Sequence, residues 1–245
     1  MPAACDAPEP GHGGHTWREC RYGCHTAGTI EGMCAHYVGL TAEQAEQAIH
    51  ELMTPKTADG DAATQLELEL PPSGVDVFPK SATPVIVPDF DTAVGVPELA
   101  AGTLTAQPLQ WGFTPAWTKD VVFNTRIESA DKPMWRAAME HSRCLVACRW
   151  FYETHRTETT VSERTGRPVK QRYAFRVPGT PVMLIGCVRR GAEFSMVTTD
   201  ANADMAPVHP RMPLIVRPDE ADLWLGPDYP ALADRSSIRL DSLKV

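Results

Sequence analysis

The sequence predicts an α+β fold, a mainly antiparallel, barrel-like sheet with flanking helices. Short apolar runs rich in Val, Ile, Phe and Tyr recur along the second half, bounded by Pro, Gly or charged residues. A few helix signals interrupt them, the α+β pattern. With 245 residues and 43% hydrophobic content, the chain is long enough to bury one substantial core, and a single globular domain is expected.

The elements follow in order. Residues 1–32 are rich in Gly, Pro, His and Cys without apolar periodicity, and read as a disordered leader, a propeptide or a start assigned too far upstream. Their Cys5, His12, His15, Cys20, Cys24 and His25 match no familiar zinc spacing, so no metal is expected. Ordered structure begins after Cys34: Thr41 and Gln44 form a capping box that opens a helix to about Met53. Residues 83–88 (TPVIVP) and 107–113 (QPLQWGF) read as strands, and 55–82 and 89–105 as Pro- and acid-containing loops. Asp131 and Pro133 open a helix to about His141. Four strand-like runs follow at 143–153, 171–177, 181–188 and 194–200, then an apolar run at 211–216 and a short helix at 218–226 with an acidic first turn.

Composition excludes several classes. No run approaches the roughly 18 apolar residues of a membrane span, and the N-terminus lacks the basic and apolar regions of a signal peptide, so a soluble, cytoplasmic protein is expected. Seven cysteines, an odd number, do not make a disulfide framework. There is no Gly-rich phosphate loop or dinucleotide fingerprint, and no cofactor is expected. The net charge of −8 hides an uneven distribution: residues 121–190 carry 13 Lys and Arg against 6 Asp and Glu, leaving −15 elsewhere. Such a segment fits a phosphate-binding groove or, equally, a solvated basic face.

Reactive groups with apolar flanks fall in four stretches: 33–37 (MCAHY), 123–129 (FNTRIES), 143–154 (RCLVACRWFYET) and 206–216 (APVHPRMPLIV). Met33-Cys34-Ala35-His36, WGFTPAW from Trp111, NTRIE from Asn124, RCLVACRWFYET from Arg143 and HPRMP from His209 stand in one order and register. Together they resemble the SRAP family, the SOS-response-associated peptidase or abasic-site processing proteins, whose marks are a Met-Cys-Gly-Arg start, WG.(I/T)P.W, NAR.E, RCL.P..GFYEW and HDRMP.

The resemblance implies a partner and a mechanism. The partner is single-stranded DNA carrying abasic sites; separately, no membrane partner is expected, nothing in the sequence demands more than a monomer, and the cytoplasm, or the nucleoid if bacterial, is the expected location. In the family Met is removed and Cys becomes the first residue, which would make Met33 the true start or 1–32 a removed leader. An N-terminal Cys presents an α-amine and a thiol to one aldehyde, and capture by both closes a thiazolidine ring, which an internal Cys cannot do. An α-amine with pKa ~7.7 to 8.0 is partly neutral at cytosolic pH, unlike a lysine near ~10.4. The implied catalytic residues are Cys34, Asn124 orienting its terminus, Glu153 as acid and base, and His209 at the sugar hydroxyl. Arg126 would contact phosphate, with Lys132, Arg136 and His36 in support; Trp111 and Trp117 would stack on bases or fill the core, and Thr198 and Thr199 would lie near the site. Strand cleavage by β-elimination and autoproteolytic leader removal are secondary expectations.

The chain also departs from the family. Ala35 and His36 replace Gly and Arg, Arg149-Trp150 stands where Asp-Gly is usual, Thr154 replaces an aromatic, and Pro210 replaces Asp. Reacting groups persist while their surroundings drift, which implies retained chemistry with altered DNA contacts. Two other readings stand beside this one: a thiol peptidase or amidohydrolase in which Cys34 attacks a carbonyl with His209 or Glu153 as base, and a non-catalytic single-strand-binding module.

Overall fold

The computed structural model describes residues 34–53, 74–89 and 104–245. The expectations for residues 1–32, for Met33 and for much of the two acidic loops lie outside the described residues.

The first strand, β1 (His36–Gly39), leads into α1 (Ala42–Met53). The capping box forms as read: the Thr41 amide donates to Gln44 Oε1 at 3.1 Å, and the Gln44 amide to Thr41 Oγ1 at 3.3 Å. Next come β2 (Val75–Val77), β3 (Ala82–Pro88), β4 (Leu104–Trp111) and β5 (Asn124–Arg126). Thus β2 falls inside a stretch read as loop. The helix expected from Asp131 starts later, as α2 (Arg136–His141), because residues 131–135 form turns.

The strand-like runs become β6 (Arg143–Val161), β7 (Pro168–Arg176), β8 (Met183–Arg190) and β9 (Glu193–Asp200). The run at 211–216 divides into β10 (Arg211–Pro213) and β11 (Ile215–Val216), followed by α3 (Ala221–Leu225) and the C-terminal β12 (Asp241–Lys244).

Most pairings are antiparallel; β9 pairs in parallel with β4 and β5. Strands β6, β8, β9, β4 and β3 pair in a closed ring. β6 organises the molecule because it is buried on both faces: Cys144, Val146 and Cys148 enter one core, while Leu145 and Ala147 enter a second that also receives Ile49 of α1, Met139 of α2 and Trp224 of α3. That double burial explains why CLVAC reads as a continuous apolar run. Arg143 ties both later helices to this strand, donating to the carbonyls of Met139, Trp224, Leu225 and Gly226. Past Glu153, β6 continues as a polar hairpin arm with β7, with an irregularity between Thr154 and Thr159.

Candidate functional site

Cys34 stands just before β1, and β1 pairs with β6 so that His36 faces Tyr152 and Tyr37 faces Phe151. This register brings together two residues 119 positions apart. The Cys34 backbone nitrogen donates to Glu153 Oε2 at 2.7 Å, and the Thr154 amide donates to Oε1 at 3.2 Å. Cys34 has a φ of 35°, in the left-handed region that side-chain-bearing residues rarely adopt.

Both groups are buried, Cys34 to 1% exposure and Glu153 to 3%. Burial raises the Glu153 carboxyl to about 7, against the opposing effect of the two amide donors. A carboxyl held there exchanges protons readily near neutral pH. Burial, reinforced by Glu153 and Cys148, holds the Cys34 thiol well above its ordinary range. Its Sγ faces the His36 carbonyl at 3.9 Å. This is a protonated thiol, not an activated thiolate.

Strand β9 carries the other two expected catalytic segments. β5 pairs with it through Asn124 opposite Met196 and Arg126 opposite Thr198, and β10 through Met212 opposite Thr199. Phe123 and Val208, which adjoin Asn124 and His209, pack in the same core cluster as Cys34. The Arg156 amide donates to the Val208 carbonyl at 3.4 Å, so the His209 segment meets β6 three residues beyond Glu153. His209 is buried, with Nδ1 3.2 Å from the Arg211 amide. Cys34 and Glu153 are thus in direct contact, while Asn124 and His209 lie on segments flanking β9, each next to a residue of the cluster that holds Cys34.

The expected DNA contacts divide. Arg126, Lys132 and Arg136 are exposed, and Trp117 is 71% exposed. Arg136 also donates to the Asp131 carbonyl through Nε and Nη2, at 3.0 and 2.7 Å. Trp111 is fully buried, with Nε1 donating to the Phe123 carbonyl at 2.9 Å, so it fills the core and has no face open to a base. Thr198 is also fully buried, its hydroxyl 3.3 Å from the Thr125 carbonyl, and Thr199 donates to the Ala233 carbonyl; packing replaces their expected site contacts. His36 does not reach for phosphate either. Its ring lies between Phe78 and Tyr152, at centroid distances of 4.3 and 4.2 Å, with Nε2 on Asp76 at 2.7 Å and Nδ1 on Arg172 at 2.5 Å.

Arg211 was missed in the sequence, although it lies within HPRMP. Its guanidinium joins both Glu128 oxygens at 2.9 and 2.8 Å, Asp200 at 2.5 Å and the Thr198 carbonyl at 2.9 Å, tying the NTRIE segment to the HPRMP segment across β9. The signal was the pairing of NTRIE's glutamate with the arginine of HPRMP, legible only once both strands are known to flank β9.

A ring of strands that presents a buried cysteine amide to a buried carboxyl, with NTRIE and HPRMP on segments flanking one of its strands, defines a class of protein by its site. The family model for SOS response associated peptidase (SRAP) matches residues 33–241. The chain belongs to the SRAP family.

Relatives include the abasic site processing proteins YoaM of Bacillus subtilis (strain 168), 28% identical over 128 residues (49% of this chain, 56% of that protein), and YedK of Escherichia coli (strain K12), 27% identical over 135 residues (50% and 55%). The abasic site processing protein YMR114C of Saccharomyces cerevisiae matches at 25% identity over 212 residues, 76% of this chain and 52% of that protein. The chain spans about half the length of these curated relatives. Among solved structures, a phage-related protein of Bordetella bronchiseptica superposes with a TM-score of 0.57 at 21% identity, covering 86% of this chain and 94% of that one. A protein from Bacteroides thetaiotaomicron gives 0.57 at 18%, covering 86% and 92%. At these identities they establish the fold alone.

Proposed function

We propose that this chain processes abasic sites in single-stranded DNA by covalent capture, using the α-amine and thiol of Cys34 after the residues before it are removed. In this reading 33–245 is the working domain, a barrel-like sheet acting as a cytoplasmic monomer, and 1–32 is a leader. The observation that carries it is the Cys34 nitrogen 2.7 Å from Glu153, a buried carboxyl poised at about 7. The amine adds to the aldehyde of the ring-opened sugar, and water leaves as the imine forms. Sulfur then adds to the imine carbon, the thiol proton passes to nitrogen, and the five-membered ring closes. Glu153 sits where it can relay each of these protons. His209 would serve the sugar hydroxyl and Asn124 the amine.

Cleavage before Cys34 also releases the strained torsion, since φ at 35° exists only while a peptide bond precedes it. Strand cleavage by β-elimination from the imine is a secondary activity of the same site. The thiol-peptidase alternative needs a thiolate, and the burial of Cys34 works against one.

The test is a denaturing gel of protein starting at Cys34, and separately of the full chain, with single-stranded DNA carrying one abasic site. A covalent band from the Cys34-first form that Cys34→Ala abolishes is the expected result. A band that survives Cys34→Ala, or survives acetylation of the α-amine, defeats the mechanism.

A further inference from the structure

The outer face of the sheet beside Cys34 holds groups that this chemistry does not use. Neighbours along a strand point to opposite faces, so Trp150 and Tyr152 of β6 lie on the face away from Phe151 and Glu153. His36 of β1 is the cross-strand partner of Tyr152. From β7, the Arg172 guanidinium lies 5.0 Å from the Tyr152 ring centroid, and that of Arg176 lies 4.9 Å from Trp150. Two arginines four residues apart, about 13 Å along a strand, each sit over an aromatic ring.

Arg172 is held from a second side. A guanidinium can only donate, so its Nη2, 2.5 Å from His36 Nδ1, requires a lone pair there. The ring proton then lies on Nε2, pointing at Asp76 Oδ1 at 2.7 Å. The imidazole, stacked between Phe78 and Tyr152, is a neutral strut that fixes Arg172. The nearby acids are engaged: Asp76 by His36, and Asp241 by Arg176 Nε at 3.4 Å. Each guanidinium has five donors, and the ring contacts and the His36 and Asp241 bonds use only part of them, so both remain able to engage a phosphate. Arg172 pairs across the ladder with Thr154, next to Glu153, so the row starts at the reactive end of the ring.

We propose that this face is a phosphate track for single-stranded nucleic acid: a strand with its lesion at Cys34 continues over it, contacting Arg172 and then Arg176. The proposal rests on the function proposed above and adds a surface to it.

Salt-dependent binding of a lesion-free single-stranded oligonucleotide tests it, by fluorescence anisotropy, with the full chain and its variants. Each lost phosphate contact lowers the slope of log K against log salt by about 0.7 on single strands, so Arg172→Gln with Arg176→Gln lowers it by about 1.4. Arg190→Gln is the control. That side chain is half-exposed and paired with Glu193, at the end of β9 remote from Thr198, and its loss leaves the slope unchanged. If Arg172→Gln fails to fold, Arg176→Gln alone carries the test, with an expected fall of about 0.7. A wild-type chain that does not bind the strand overturns the track together with the DNA reading. Wild-type binding with an unchanged slope in the double variant, or an equal fall in Arg190→Gln, overturns the track alone.

Discussion

Replacing Glu153 by Gln gives a direct reading of the carboxyl at the centre of the site. Burial raises it from 4.5 to about 7 while the Cys34 and Thr154 amides pull the other way. The native state therefore keeps its proton over a range in which the unfolded chain has lost it, and stability falls as pH rises through that range. At about 1.4 kcal/mol per pH unit the full effect is about 3 kcal/mol, most of which falls between pH 5 and pH 8. A glutamine side chain does not titrate, so urea unfolding of Glu153→Gln at several pH values should lack this decline. The variant should gain on the wild type by about 2 to 3 kcal/mol from pH 5 to pH 8. Parallel profiles for the two proteins would refute the raised carboxyl. In a chain that starts at Cys34, an ammonium replaces the amide 2.7 Å from the carboxyl. The attraction draws Glu153 downward, and the wild-type decline should shrink.

Three further outcomes follow from the geometry. Trp117→Ala leaves the urea midpoint in place and weakens single-strand binding by about 1 to 3 kcal/mol, whereas Trp111→Ala, at a fully buried position, costs about 3 to 5 kcal/mol of stability; anisotropy and unfolding curves separate the two. Arg143→Ala strands four carbonyls at the ends of α2 and α3 and lowers stability by about 3 kcal/mol, measured by urea unfolding. Arg211→Ala unties Glu128 from the His209 strand and slows crosslinking about tenfold, and Arg211→Lys does not restore the rate because an ammonium cannot engage both Glu128 oxygens in the same fork.

Local signals were legible in the sequence, and pairing-dependent ones were not. The Thr41–Gln44 box marks its helix because both partners lie within one turn. The apolar run of β6 is legible because both its faces are buried, but its continuation to Val161 is not, since a polar hairpin arm carries no apolar period. β5 (NTR) and β12 (DSLK) exist through pairing with β9 and β7, and three or four polar residues announce nothing on their own. At the site, Cys34 and Glu153 were reached through motif resemblance, because no local pattern links residues 119 apart. Trp111 and Trp117 look alike within WGFTPAW, and only the strand decides between them: β4 ends at Trp111 and leaves Trp117 in the exposed turn. His36 was expected to support a phosphate contact, yet its two nitrogens are occupied by residues from β2 and β7.

The Cys34–Glu153 contact also orders the proposed chemistry. With a peptide bond before Cys34, its nitrogen is a neutral amide without nucleophilicity, and the carboxyl opposite, raised to about 7, is only partly protonated near neutral pH. Once that bond is cut, the nitrogen becomes an amine whose own pKa lies near ~7.7 to 8.0, and it shares a proton with a carboxyl already poised at about 7. The thiol stays protonated because burial raises it well above its ordinary range. Nitrogen must therefore attack first. Sulfur follows when the imine presents an electrophile within reach and Glu153, having delivered a proton to the departing water, is ionised and able to take the thiol's. One carboxyl thus serves both bond-forming steps, and its burial holds it near the pKa that both require.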